Sequence, residues 1–315
     1  MSDARLIGRS VQVKVPATTA NLGPGFDTLG LALSFYDEIT AEVRETPGAT
    51  VTVHGVGAGE VATDETNLVV RAVAYTFEKY GQQMPGLNLT CENRIPHGRG
   101  MGSSAAAIVA GIMVAKGLLD GIVDIDADGL LNLANDLEGH PDNVAPALFG
   151  GMSIAWVTPE GPKHKKLTVH RGVSLLVAVP LETTMSTAVA RSLQPDTVPH
   201  SDAIFNLSRS ALLVAALIQS PELLHAATED KLHQDYRAEA MPETYGLIQK
   251  LRAEGFAAVV SGAGPSILVL SDDPAERKRA ADLIHANSNT PWDCLMLAVD
   301  FKGATVVSLS AGAGA

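Results

Sequence analysis

Strand signals near the amino end, helical signals through the middle and a length of 315 residues predict a two-domain protein that mixes strands and helices. One hydrophobic core usually stops growing before that length, which favours a division into two. The strand signal is period-two alternation with β-branched residues, seen in Val11–Val15, in "YDEITAEV" (36–43) and in "ATVTVHG" (49–55). The first helical signal is "NLVVRAVAYTFEKYG", with apolar residues at helical spacing and Gly81 placed to end it.

Further along, "LNLTCEN" reads as a strand and leads into "RIPHGRGMGSSAAAIVAGIMVA" (94–115), a glycine-rich loop opening a small-residue helix. A helix is expected over Asp126–Glu138, then a structured turn with a short helix in "GHPDNVAPALFGG" and a strand in "MSIAWV". "TPEGPKHKK" (158–166) combines Pro, Gly and charge and reads either as the domain boundary, dividing 1–163 from 164–315, or as a long hairpin loop. Beyond it, "VSLLVAVP" is a buried strand, and Asp202–Glu254 is mostly helical with Pro221 and Pro242 at first turns. "FAAVV" and "SILVL" flank the turn "SGAGP", a helix follows Pro274, and the strands "DCLMLAV" and "ATVVSL" finish the second domain before a frayed "SAGAGA" tail.

Composition narrows the function classes. An apolar fraction of 46% with 18% charged residues is that of an ordinary globular protein, and a net charge of −12 disfavours nucleic acid or anionic membrane as a partner. The two cysteines, Cys91 and Cys294, lie far apart and read as reduced, buried thiols. The amino end lacks the apolar core of a signal peptide, and the run Ala105–Ala115 is too short to span a bilayer. A cytoplasmic location is therefore expected, with a homodimer as the commonest assembly.

The glycine loop fits neither familiar phosphate motif. Gly98 and Gly100 suit a dinucleotide fingerprint, but Ser103 stands where its last glycine belongs, and no lysine between Lys79 and Lys116 completes a Walker A loop. The shared physics remains: glycines let backbone N–H groups curl around an anion, and a helix starting near Ser103 adds its positive end. The hydroxyls of Ser103 and Ser104 suit a phosphate or a magnesium ion. A tight turn with a serine N-cap is the bland alternative.

"PHGRGMGSSAA" (96–106) resembles the phosphate loop of the GHMP kinases, with Met101 in place of the usual Leu. "KVPATTANLGPGFDTLGLAL" (14–33) is similar to the substrate motif of the branch that acts on homoserine, and "SGAGPSILVL" (261–270) resembles the family's third motif. With "EGHPDNVAPALFGG" between them, the three motifs stand in the family's order. The resemblance implies a GHMP kinase fold, α/β and α+β: an amino-terminal domain like domain 2 of ribosomal protein S5 and a ferredoxin-like carboxyl-terminal domain. It also implies ATP as cosubstrate, Mg²⁺, and transfer of the γ-phosphoryl group to the side-chain hydroxyl of L-homoserine.

Roles then follow by analogy. Pro96, His97, Gly98, Arg99, Gly100, Met101, Gly102, Ser103, Ser104, Ala105 and Ala106 would cradle the triphosphate, with Asn67 near the adenine and Ser104 and Glu138 on the metal. Asn21, Asp27, His140, Asp142, Arg191, Arg237 and Gly262 would hold the amino acid, Asp142 on its ammonium and the arginines on its carboxylate. Asn143 falls where other members carry a catalytic aspartate. An amide is no base at neutral pH, so Asn143 and Arg191 would work by positioning and charge stabilisation. Taken singly, each residue has a structural reading too: Asn and Asp form turns, Asn67 caps a helix, and arginines are mostly solvated. The rivals are a family member for mevalonate or a sugar, and a nucleotide sensor without catalysis.

Overall fold

The computed structural model describes residues 5–309, so the expected tail (310–315) lies outside it. Its strands are β1 (Ser10–Ala20), β2 (Leu29–Arg44), β3 (Ala49–Gly55), β4 (Gly86–Asn93), β5 (Met152–Thr158), β6 (Gly161–Leu167), β7 (Ser174–Pro180), β8 (Ala257–Val260), β9 (Ile267–Ser271), β10 (Trp292–Leu297) and β11 (Thr305–Leu309). Its α-helices are α1 (Leu68–Lys79), α2 (Ser103–Leu118), α3 (Ala127–Glu138), α4 (Pro141–Phe149), α5 (Thr187–Ser192), α6 (His200–Ile218), α7 (Leu224–Ala227), α8 (Pro242–Ala253) and α9 (Glu276–Asn287).

The strands form two sheets. One runs β11-β1-β2-β4-β3 with β5 also paired to β2 and β6 to β5; the other runs β10-β7-β9-β8. Among the described strands only β3 and β4 pair in parallel, joined by the α1 crossover, as a parallel pair requires. Asn67 caps α1 by accepting from Val69 N, and Gly81 follows its end at φ 65°, as its sequence promised.

Helix α2 is apolar all round and buries twelve of its residues, from Ala105 to Leu118, which marks it as a core helix. It packs on β1 and α1 and fixes where the glycine loop ahead of it points. The smaller sheet is apolar on both faces. Leu175, Val177 and Val179 join the main core, whereas Leu176 and Ala178 face α8 and α9 in a second cluster. That explains the continuous apolar run of "SLLVAVP", since a strand covered on both sides has no polar face to alternate.

Two sequence expectations change. "TPEGPKHKK" is a hairpin, with Thr158 opposite Gly161 and Trp156 opposite Lys163, so a boundary between residues 163 and 164 would cut through β6. Exposed, charge-rich alternation on a solvated edge strand has the composition of a linker. The final strand also crosses over: β11 pairs with β1, Val13 opposite Val306, and belongs to the larger sheet rather than the second domain's. Of the cysteines, Cys91 is buried and Cys294 only partly so.

Among the described helices, α6 has the length and apolar content of a membrane span, although only a minority of that stretch is buried. Several of its polar residues are engaged with neighbouring polypeptide. Asn206 Nδ2 and Ser210 Oγ both donate to Pro24 O, the former at 2.8 Å, and Arg209 Nε pairs with Glu229 Oε2 at 2.7 Å.

Candidate active site

The glycine loop is shaped from three directions. Where β4 ends, the buried Asp37 Oδ1 accepts from Arg94 N at 2.6 Å and Ile95 N at 2.9 Å and turns the chain toward the loop. Burial raises the Asp37 carboxyl above the usual range, while these two N–H groups act against that rise. Gly98, Gly100 and Gly102 all lie in the left-handed region, at φ 63°, 70° and 69°. A Cβ on Gly100 would sit 2.1 Å from Ser261 O, and one on Gly102 only 1.9 Å from Thr18 Oγ1, so both positions require glycine. Ser261 Oγ donates to Gly100 O at 2.6 Å, pinning the loop to the third motif.

Gly102 is the N-cap of α2, and no side chain caps it. Ser103 and Ser104 are therefore the first helical residues rather than caps, and the helix start faces the cavity with unpaired N–H groups. Ser104 Oγ donates to Glu138 Oε2 at 2.8 Å. Burial raises the Glu138 carboxyl, and the Ser104 hydroxyl opposes that shift. Two neighbouring oxygens of this kind, at the mouth of an anion cradle, suit a hard cation such as Mg²⁺.

The facing wall is made of side chains. The turn after β1 holds Asn21, Leu22 and Asp27 in the left-handed region, at φ 70°, 52° and 55°. Such strain persists only where surroundings over-determine it. Asn21 Nδ2 donates to Gly262 O at 2.8 Å and its Oδ1 accepts from Asp27 N at 3.0 Å. His233, fully buried, approaches Gly23 O at 2.8 Å through Nε2 and stacks on Phe26 with centroids 5.0 Å apart.

Charge is concentrated on this wall. Arg191 makes a two-pronged pair with Asp27, at 2.8 and 3.0 Å, and the side chains stay 39% and 38% exposed. Arg237 is 2% exposed, lies 5.2 Å from the Phe26 ring centre and is pushed down to about 10 by burial, so it remains charged at neutral pH. His140 Nδ1 and the buried Asp142 Oδ1 are 2.9 Å apart; that bond raises the imidazole, and burial acts against it. Thr18 Oγ1 donates to Asn143 Oδ1 at 2.7 Å, and the Asn143 Nδ2 has no protein acceptor among the described residues.

These groups line one cavity of about 150 Å³, which takes in Asn21, Asp27, the loop glycines, Arg99, Ser103, Ser104, Glu138, His140, Asp142, Asn143, Arg191, Arg237 and Gly262. A second, more apolar cavity of about 380 Å³ is lined by Asn67, His97 and Ala106 and shares Ser103 and Ser104 with the first. Pro96, Met101 and Ala105 line neither; Met101 and Ala105 are buried and carry the loop from beneath. Asn67 uses both ends of its amide, on Val69 N and on Ala62 O at 2.7 Å, so its place beside the second cavity is structural as well.

Thr18, Asp37, Asn206, Ser261 and His233 escaped the sequence reading. Thr18 and Ser261 stand inside motifs already singled out, but nothing in their spacing separates them from turn residues. Asn206 is a polar residue on the inner face of an apolar helix, which was a usable signal.

A profile of the GHMP kinases N terminal domain matches residues 67–151, and one of the GHMP kinases C terminal matches 212–287. The homoserine kinase of Leifsonia xyli subsp. xyli is 74% identical over 301 residues, covering 96% of this chain and 93% of that protein. The homoserine kinase of Clavibacter michiganensis subsp. michiganensis is 70% identical over 312 residues, 99% of this chain and 98% of that one. Among solved structures, a homoserine kinase from Cytophaga hutchinsonii matches with a TM-score of 0.84 at 26% identity, covering 95% of this chain and 97% of that one. The L. major mevalonate kinase in complex with R-mevalonate has a TM-score of 0.69 at 16% identity, covers 94% and 97%, and shares the fold.

Proposed function

The chain belongs to the GHMP kinases, in their homoserine kinase branch, and we propose a division of labour among its residues in that reaction. It transfers the γ-phosphoryl group of ATP to the side-chain hydroxyl of L-homoserine, a step of threonine biosynthesis. One observation carries the assignment of sides: the two cavities meet at Ser103 and Ser104, and only the smaller carries paired opposite charges.

The larger cavity takes the adenosine, with the triphosphate running over Gly98–Ser104 toward Glu138. Backbone N–H groups and the start of α2 hold its charge at fixed positions, without reorganisation as the reaction proceeds. Ser104 and Glu138 would hold Mg²⁺, which supplies neutralisation of the phosphate oxygens when bound.

Homoserine carries both charges, and the acceptor wall offers both. Asp142 and Asp27 pair with its ammonium, Arg191 and Arg237 with its carboxylate. Because the Arg191–Asp27 pair is more than a third exposed, its own contribution is small, on the order of 0–1 kcal/mol, and the zwitterion can take it apart at little cost. Asn143 lines the cavity and is held by Thr18 through its amide oxygen, which leaves its amide N–H to orient the acceptor hydroxyl or a transferring oxygen. Phosphoryl transfer through a loose transition state needs little early deprotonation of that hydroxyl, so the missing carboxylate base is tolerated.

Mevalonate and sugars lack the zwitterion that these charges fit. A coupled ADP-release assay with homoserine, threonine, mevalonate and galactose tests the reading. Turnover of homoserine alone is expected; turnover of another alcohol with silence toward homoserine would overturn it. A cytoplasmic location and a homodimer remain part of the same proposal.

A further inference from the structure

Arg99 stands in the phosphate loop and lines the smaller cavity, but its guanidinium nitrogens are all engaged by protein carbonyls. Nε donates to Pro180 O at 2.7 Å, Nη2 to Leu181 O at 2.7 Å, and Nη1 to His97 O at 3.2 Å. Pro180 ends β7, and the chain that leaves it runs directly to α5. One further bond follows: Met185 N donates to Gly98 O at 2.8 Å. The Ser186 side chain then caps α5 by accepting from Val189 N, and α5 carries Arg191, which reaches Asp27.

Leu181, Glu182 and Thr184 are exposed, and between Leu181 and Arg191 only Met185 and Ala190 are buried. A segment with so few buried contacts has little of its own to fix its place. Leu181 N donates to Pro291 O at 3.0 Å, and beyond that residue the bonds to Gly98 and Arg99 supply what the core does not. The guanidinium suits this role: its rigid planar fork meets two successive carbonyls at once, fixing orientation as well as distance.

We propose that Arg99 is a positioning residue for the amino acid rather than a phosphate ligand, coupling the phosphate loop to α5 and so to Arg191. Nucleotide bound at the loop orders Gly98 and Arg99; through their bonds the Leu181–Arg191 segment is ordered as well. Homoserine then meets an arginine already in place. The ordering cost is met once for two ligands, which is positive coupling, and linkage makes it reciprocal. The inference rests on Arg191 as a partner of the substrate carboxylate.

The test measures homoserine affinity by calorimetry, with and without a non-hydrolysable ATP analogue and magnesium, in the wild type, Arg99→Ala and Arg99→Lys. In the wild type, the analogue should tighten homoserine binding about five- to twentyfold. In Arg99→Ala the two affinities should agree within twofold, with KM for homoserine raised about tenfold and analogue affinity in the absence of homoserine unchanged within twofold. Lysine should not restore the coupling, because a point charge cannot bond two carbonyls as a fork does. Weakened binding of the analogue alone by fivefold or more, with coupling intact, would overturn the proposal and make Arg99 a phosphate ligand.

Hydrogen exchange on the unmodified enzyme removes any dependence on how the variants fold. The analogue alone should protect the Met185 amide and those of α5, and absence of that protection overturns the proposal. Arg191→Lys separates the premise from the inference. If it leaves KM for homoserine unchanged, the assignment of Arg191 fails; if it raises KM while Arg99→Ala leaves the coupling intact, only the role of Arg99 fails.

Discussion

The two walls of the cavity are built by opposite means. The nucleotide wall is backbone: three left-handed glycines and the bare start of a helix whose body is buried in the core. The acceptor wall is side chain: Asp27, Asp142, Arg191 and Arg237 arrive from segments far apart in sequence, Asp27 paired with Arg191 and Asp142 with His140. A wall of backbone is rigid and tolerates almost no added atom. A wall of ion pairs is exchangeable and tolerates change of shape better than change of charge geometry.

The sharpest break of this contrast is Gly102→Ala. A left-handed alanine costs about 1–2 kcal/mol before any clash, and its Cβ would fall on Thr18 Oγ1. We expect kcat/KM for ATP to drop by about a hundredfold or more, with a lower melting temperature, measured by the coupled assay and by thermal unfolding. An alanine that left activity within threefold would show the loop to be softer than its geometry implies.

On the other wall, Arg191→Lys and Arg237→Lys should each raise KM for homoserine about ten- to fiftyfold and leave KM for ATP within twofold, since one charge-assisted bond is worth about 1.5–3 kcal/mol. Equal effects on both constants would mean that the walls are not separable. Asn143→Ala, between them, should lower kcat about tenfold with little change in either KM. Its pH profile should keep its shape, because an amide titrates nothing; loss of a basic limb would assign base chemistry to this position.

The smallest effect concerns His233. Burial lowers its pKa below the usual 6.5, so the unfolded chain takes up a proton near that pH while the native ring resists it. Stability supplied by this ring is therefore complete above about pH 6.5 and declines as pH falls below it, by at most about 1.4 kcal/mol per pH unit for one proton. His233→Gln should flatten that decline, as read from melting temperatures between pH 7 and pH 5. A parallel decline in the variant would assign the loss to other groups.

The same contrast explains what could be read from sequence. The nucleotide wall is local: strand, glycines and helix follow one another within "NRIPHGRGMGSSAAA", and the structure added the anchors from Asp37 and Ser261 and the absence of a side-chain cap at Gly102. The acceptor wall is not. Nothing in "STAVARSL" distinguishes Arg191 from a solvated arginine until the fold brings it to Asp27, and the resemblance supplied that assignment. Thr158–Lys166 could be read as a boundary or as a hairpin because exposed edge strands and linkers share a composition, and the structure has the hairpin. The crossing of β11 to the first sheet was illegible for a different reason: alternation in "ATVVSL" says that a strand forms, not which edge receives it.

That last strand has a consequence for how the enzyme is made. Until Thr305–Leu309 has left the ribosome, β1 has one unpaired edge along Ser10–Lys14, the strand that continues into Thr18 and the turn bearing Asn21 and Asp27. The nascent chain must leave that edge unpaired while residues 15–304 are made. The first of the described strands is thus completed by the last of them.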